Sequence, residues 1–417
     1  MIAAEGRRTL VACLLIAVLA ASVRLPRLGF PPEEMFDEVY HAKAAREYLE
    51  DAPPNEWVHP PMAKWLIAIG IDRFGYEAWA WRLTAALAGI ALAPVFFLLA
   101  REVLPTARAA GLAAALLLCD GVYLVQSRIA MTNVFAVLFQ LLAAFFLVRA
   151  VRRDVLPAAG TMMGGIALGL AVSTRWTSLW AWGFLGLVGL AGRRARLLRP
   201  REVGLLALAF AAIPLSIYVL SYLPLTYLRP GLPPWETWRD LVEVQKEVWR
   251  YHANLQADHP YFSKWYTWPF LYRPTWYYFK DLGTEVRGIV ALGNPALWWL
   301  SVPVTVWALV TGAQARDWRR LFTGAGFCCL YLPWGISPRT LNYSHYLFEA
   351  IPYACLSLGL LLDRHWDRSW TARAYVLAVI LLFLFFLPLL LAWAVPRTLF
   401  YGLEGGVRWW TWFPTWV

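Results

Sequence analysis

Apolar runs and short polar connections alternate along this chain from one end to the other. Eleven runs can be read, near residues 9–24, 80–100, 107–125, 130–149, 157–174, 176–192, 203–223, 291–312, 320–335, 342–362 and 371–395. Most approach the roughly 20 residues needed to cross a hydrocarbon core of about 30 Å. No water reaches the backbone in lipid, so each run must satisfy its own peptide groups and is predicted to be a helix. The expected fold class is an all-α polytopic membrane protein with about 11 transmembrane helices. The first run follows Arg7 and Arg8 as a signal peptide would. Leu25-Pro26-Arg27 stands after it instead of a small-residue cleavage site, so it reads as an anchor.

The polar positions orient the bundle. With a cytoplasmic N-terminus, the inner connections carry Arg101 and Arg108, then Arg149, Arg152 and Arg153, then Arg193, Arg194, Arg196, Arg199 and Arg201. The last two carry Arg316, Arg319 and Arg320, then Arg364, Arg368 and Arg373, whereas the short outer turns hold one arginine each, Arg128, Arg175 and Arg339. This asymmetry puts the C-terminus outside. Two outer segments, 25–79 and 224–290, are too long to be turns, and connections of that length are usually functional. They divide the chain into residues 1–223 with seven spans, an aromatic-rich loop at 224–290, and residues 291–417 with four spans and an outer tail. Both loops read as structured. Glu38–Glu50 and Thr237–Leu255 have helical patterns, and Pro60-Pro61 opens a helix over Met62–Phe74, too short to span and suited to the membrane interface.

Composition agrees. The 417 residues are 60% hydrophobic and 16% charged, and mean hydropathy is +0.49. Soluble domains run at about 45–50% and about 25%, so soluble enzymes, disordered chains and disulfide-stapled domains are excluded. The net charge of +11 is mostly topological, only five of the 38 basic residues being lysines, and no nucleic-acid partner is expected. Cys13, Cys119, Cys328, Cys329 and Cys355 all fall inside apolar runs, and no Cys/His pair has zinc spacing, so no metal site is assigned. A transporter would place charges at mid-membrane in repeated halves. Here no repeat is found and the charges sit at the outer face.

Four groups of residues could carry chemistry. Asp37 and Glu38 precede an amphipathic helix, either as cap and dipole partner or as reactive carboxylates. The same loop holds His59-Pro60-Pro61-Met62-Ala63-Lys64, where a proline-started helix and an ammonium one turn on suit an anion. Asp120 lies within an apolar run, where a carboxylate marks a site by default unless it pairs with an arginine such as Arg128. Lys64, Arg128, Arg175 and Arg339 are outer-face cations, each able to serve a salt bridge or, together, a lipid phosphate. The order Tyr251-His252, His259-Pro260-Tyr261, Trp265 to Trp268 and Arg273 to Tyr278 suits an interfacial belt or recognition of a sugar or peptide by aromatic faces.

Phe36-Asp37-Glu38-Val39-Tyr40-His41, His59 to Lys64, Asp120-Gly121 with Gln126 to Met131, Thr174 to Thr177, Tyr251 to Pro269, Gly293-Asn294-Pro295 and Arg339 to Pro352 follow one another in a known order. In this the chain resembles the dolichyl-phosphate-mannose–protein mannosyltransferases, of the membrane glycosyltransferase C fold, over nearly its whole length. The resemblance implies a polyprenyl-phosphate mannose donor, a Ser/Thr hydroxyl of an exported polypeptide as acceptor, inversion at the anomeric carbon, and a cell-membrane enzyme with an extracytoplasmic site. It implies Asp37 as the catalytic carboxylate with Glu38 beside it and lets Lys64 and Arg128 serve the donor phosphate, with Arg175 and Arg339 as further cations able to neutralise it. His59, Asp120 and His345 would support them, and His252, His259, Trp265, Trp268 and Arg273 would face acceptor or sugar. A divalent cation between Asp37 and Asp120 stays open, as does a lipid or glycan acceptor. The second outer loop is too short for the β-trefoil of eukaryotic members. Asn133 stands where many relatives have an aspartate, and Trp176-Thr177-Ser178 departs from the usual Lys-Trp variants.

Overall fold

The computed structural model describes residues 2–152, 156–193, 199–226, 234–403 and 407–416. Arg153, Arg194 and Arg196 of the orienting set, and 227–233 of the second long loop, lie outside these residues. Each of the eleven apolar runs is helical over most of its length. Helix α1 (Ile2–Arg24) leads to α2 (Glu38–Leu49) and α3 (Met62–Phe74), which pack on each other above α4 (Ala78–Val103). Then come α5 (Ala107–Leu118), α6 (Gly121–Gln126), α7 (Asn133–Val151), α8 (Ala158–Thr174) and α9 (Ser178–Arg193). Helices α10 (Pro200–Ala207) and α11 (Ile213–Thr226) are joined through a π-turn at Leu208–Ala212, next to Pro214, which lacks the N–H an α-helix would use. Among the described residues six helices are long and apolar enough to cross a membrane by length and composition. Helix α7 is the hub: its buried face of Val134, Val137, Leu141, Ala144 and Val148 packs against α4 and α8.

Three further apolar runs are interrupted, each by a polar residue or proline. The run at 107–125 breaks at Asp120, whose carboxylate caps α6 by accepting from Tyr123 N at 2.8 Å. At 320–335, α14 (Trp318–Tyr331) gives way to a 3₁₀ turn, Leu332–Gly335, containing Pro333. The run at 342–362 opens as a 3₁₀ turn, Ser344–Glu349, before α15 (Ile351–His365).

In the second long segment α12 (Pro234–Asn254) precedes a 3₁₀ turn at Trp265–Phe270 and a hairpin that the hydrophobic pattern did not announce. Strands β1 (Thr275–Asp281) and β2 (Glu285–Ala291) pair antiparallel, and β3 (Val395–Pro396) adds to the far edge of β2. Gly288 is required there, because a Cβ would stand 2.3 Å from the Trp276 ring. Helices α13 (Pro295–Ala315), α16 (Trp370–Leu390) and α17 (Arg397–Tyr401) complete the chain, with Asn294 capping α13. The small sheet lies against α6 and α16 and carries Tyr277 to the edge of the site described next.

Candidate active site

A cavity of about 540 Å³ opens where the 25–79 loop, the start of α7, the turn before α9, the end of α12 and the 339–346 segment meet. Asp37, His59, Asn133, Arg175, His259 and Arg339 supply its polar wall, and Phe36, Tyr40, Trp57, Tyr251, Tyr343 and Tyr346 its aromatic one. A second, more apolar cavity of about 340 Å³ adjoins it, sharing His59, Arg175 and Arg339 and lined beyond them by Trp176, Trp180, Trp249 and Trp334.

Asp37 stands at the N-cap of α2, yet its side chain makes no capping hydrogen bond. Its backbone carbonyl accepts from Tyr40 and His41 while the carboxylate faces the cavity. Protein encloses it elsewhere, and that burial pushes its pKa up to about 6 even though Arg339 and Arg175 favour the charged form. The preceding Phe36 has a φ of +48°, a left-handed conformation uncommon for a bulky residue. Its ring is clamped, stacked on Tyr277 at 4.6 Å and met edge-on by Tyr343 at 5.6 Å. Beyond it Asp37 lines the cavity while Glu38 is fully buried.

Glu38 faces the protein interior. Its oxygens accept from Arg82 Nε at 2.8 Å and Nη2 at 2.7 Å, and from the backbone N–H groups of Met35 and Ala130 at 2.9 Å each. A fully buried carboxylate with this many donors is satisfied and does not reach the cavity. Grouping it with Asp37 as a reactive pair does not fit this geometry.

The four outer cations divide equally. Arg175 and Arg339 line both cavities. Arg175 donates to Asn133 Oδ1, pairs with Glu349 Oε1 at 3.4 Å and lies 4.6 Å above the Tyr346 ring. Glu349 in turn accepts from Gln140 at 3.0 Å and Thr177 at 2.6 Å. Arg339 donates to Leu341 O at 2.8 Å and to His252 Nδ1 at 3.0 Å. The other two cations are turned inward, against the expectation that they meet a phosphate. Lys64, fully buried, gives its protons to the Glu56 carboxylate, Glu56 O at 3.0 Å and His59 O at 2.9 Å. Arg128 spans the end of α1, donating to the carbonyls of Val23, Arg24 and Arg27.

Asp120 is also a structural group. Besides capping α6 it accepts from Trp298 Nε1 at 2.6 Å and Asn294 N at 3.3 Å, tying α6 to the start of α13. It forms no ion pair with Arg128, and it lies outside the cavity that Asp37 lines, with its oxygens engaged. Among the described residues no group of three His, Cys, Asp or Glu side chains could hold a metal ion.

The histidines and aromatics separate similarly. His59 bonds Glu56 through Nδ1 at 2.7 Å. His252 Nε2 donates to Val58 O at 2.9 Å, so Nδ1 is free to accept from Arg339. Burial first, then His59 and Arg339, push the His252 pKa down to about 4, so this ring is neutral. His259 reaches the cavity wall edge-on to Tyr343 at 5.1 Å. His345 lies behind it, stacked on Tyr343. Trp265, Trp268 and Arg273 line neither cavity: Trp268 is fully buried against Trp334 and Tyr346.

Sequence reasoning missed Glu56 and Glu349. Glu56 collects His59 and Lys64, and although burial alone would raise its pKa, Lys64, His59 and His41 hold it well below the usual carboxylate range. Its signal was only an acid three residues before His59. Glu349, inside an apolar run beside the outer turn of Arg339, could have been flagged by the reasoning applied to Asp120.

A helical membrane bundle with a polar cavity at one end defines the class, and similarity narrows it. Residues 58–221 match the family described as dolichyl-phosphate-mannose-protein mannosyltransferase, and residues 237–416 match the C-terminal four TMM region of protein-O-mannosyltransferase. The polyprenol-phosphate-mannose–protein mannosyltransferase of Mycolicibacterium smegmatis is 29% identical over 96% of this chain and 92% of its own length. Among solved structures, the S. cerevisiae protein O-mannosyltransferase complex bound to the sugar donor superposes with a TM-score of 0.82 at 14% identity, covering 98% of this chain and 93% of its own. ArnT from Cupriavidus metallidurans bound to undecaprenyl phosphate gives 0.62 at 18% identity, covering 90% and 70%. The chain belongs to the protein O-mannosyltransferase family and has the glycosyltransferase C fold.

Proposed function

We propose that this enzyme transfers mannose from a polyprenyl-phosphate mannose to Ser/Thr hydroxyls of exported polypeptides at the outer face of the cell membrane, with inversion. The observation that carries the reading is the Asp37 carboxylate, open to the cavity and free of hydrogen bonds within the described chain, beside two guanidinium groups. The acceptor oxygen attacks the anomeric carbon as the bond from that carbon to the phosphate oxygen breaks. Asp37 takes the hydroxyl proton, for which a pKa near 6 is well matched. The departing phosphate carries its own charge, which Arg175 and Arg339 neutralise through planar forks, so one carboxylate suffices and no general acid is needed. A single displacement inverts the centre. His252 acts through Arg339, and Glu349 and Asn133 through Arg175. Glu38, Lys64, Arg128 and Asp120 hold the walls in place.

The test is transfer by the purified protein from synthetic polyprenyl-phosphate mannose to a Ser/Thr-rich peptide. We expect a peptide heavier by one hexose, with the linkage opposite in configuration to the donor. A peptide left unmodified while a lipid or glycan in the same assay takes the sugar would replace the acceptor in this reading.

A further inference from the structure

At the end of α7 away from the active cavity lies a third cavity, of about 610 Å³, between α7, α9 and α14. Met131 to Asn133 line the active cavity and Val148 to Arg152 this groove, about 25 Å apart at 1.5 Å per residue along α7. The groove therefore belongs to neither cavity already described. Phe184, Leu187, Val188, Leu321 and Phe322 make its walls apolar, and Arg152 lines its rim, with Arg149, Arg319 and Arg320 next in sequence to the lining residues Val148, Trp318 and Leu321. Arg152 reaches across from α7 to lie 5.6 Å over the Trp318 ring of α14, and Arg319 lies 5.3 Å over the same ring.

Among the described residues this rim has more arginines than carboxylates to pair with them. Arg149 and Arg152 share one carboxylate, Glu102, and Arg320 takes Asp317. Among the described residues Arg319 has no ion-pair or hydrogen-bond partner for its side chain, whose Nε is buried. The Nη groups of the same guanidinium also make no hydrogen bond among the described residues, and it is they that can receive an acceptor from outside. Basic pockets between membrane helices suit anionic headgroups, and an apolar trough beneath one suits an acyl chain.

We propose that this groove is a binding site for one anionic phospholipid, its chain lying along α9 and its phosphate meeting Arg319 and Arg152 beside Trp318. The site rests on the membrane-spanning reading of the fold but not on the reaction assigned to the active cavity.

The test is native mass spectrometry of the intact protein released from mixed micelles, with phosphatidylglycerol or phosphatidylcholine as the added lipid. Wild type should retain one phosphatidylglycerol at least tenfold more often than one phosphatidylcholine. The Arg152→Gln/Arg319→Gln double variant should lose that preference, and Leu187→Trp, which fills the trough without changing charge, should lower retention of both lipids. Equal retention of the two lipids by wild type, or a phosphatidylglycerol preference unchanged in the double variant, overturns the proposal. So does a preference that the double variant abolishes but Leu187→Trp leaves untouched, since it would mean a diffuse charge effect without a site.

Discussion

Asp37 and Glu38 are neighbours in sequence, and replacement should separate them. Asp37→Asn keeps shape but cannot take a proton, so transfer should fall by roughly 10²–10⁴-fold with donor binding kept. Folding raises the Asp37 pKa, so ionising it costs stability, increasingly as pH climbs from 3.8 to about 6 and constantly above. The asparagine variant should therefore unfold no more easily than wild type at neutral pH, which thermal melts in detergent would check. In wild type, kcat/KM should fall as pH drops through about 6, where Asp37 gains its proton, and not near pH 4. Glu38→Gln should behave oppositely. It leaves buried Arg82 without its counter-charge, a loss of about 3–5 kcal/mol when one partner of a buried pair is removed. Lower folded yield with near-normal turnover per folded molecule is the expected pattern. The same contrast holds among the cations: Lys64→Ala strands Glu56 and should destabilise, whereas Arg339→Ala should raise the KM for donor with the melt little changed.

At the level of elements, the last turns of α12 form the partition between the two cavities. Tyr251 faces the larger one and Trp249 and His252 the smaller. The helix is held there by Gln245, which accepts from Tyr218 at 2.5 Å, and by the two bonds of His252. His252→Ala should release both the helix end and Arg339. Two hydrogen bonds of about 0.5–1.5 kcal/mol each are at stake, so faster amide exchange over 245–255 and a several-fold higher donor KM are expected. Unchanged exchange would mean that the tyrosine contact alone suffices. The helices were legible because lipid forces each apolar run into one conformation, and α3 begins at Met62 as its prolines indicate. The hairpin was not, because Trp276-Tyr277-Tyr278-Phe279 lacks the alternation of a half-buried strand. Asp37, Arg175 and Arg339 were legible as charges in places that disfavour them. Lys64 and Arg128 carried the same signal for another reason: their partners, Glu56 and the carbonyls closing α1, become visible only once the chain is folded.

Across the whole molecule, the two ends differ in what their arginines do, and this gives a test of topology. At the cavity end Arg175 and Arg339 point into a polar chamber. At the other end they form exposed bridges: Arg101 with Glu5 at 2.7 Å, Arg108 with Asp363 at 2.6 Å and Asp367 at 2.7 Å, Arg152 with Glu102 at 3.3 Å. Those acids do not weaken the orientation, because topology follows the lysines and arginines and not the net charge. Helix α9 joins the two ends: Ser178, at its start, accepts from Gln140 at 3.0 Å beside the Glu349 network, and Gly192 lies near its other end. Leu255, after α12, lines the active cavity. A reporter fused after Gly192 should therefore read cytoplasmic and one after Leu255 extracytoplasmic. The odd number of spans between them requires opposite sides. Labelling of both from one side would break the span count and, with it, the outer-face placement of Asp37. Opposite labelling with the sides exchanged would keep the fold and the cavity but put the chemistry in the cytoplasm, where exported polypeptides could not be the acceptors.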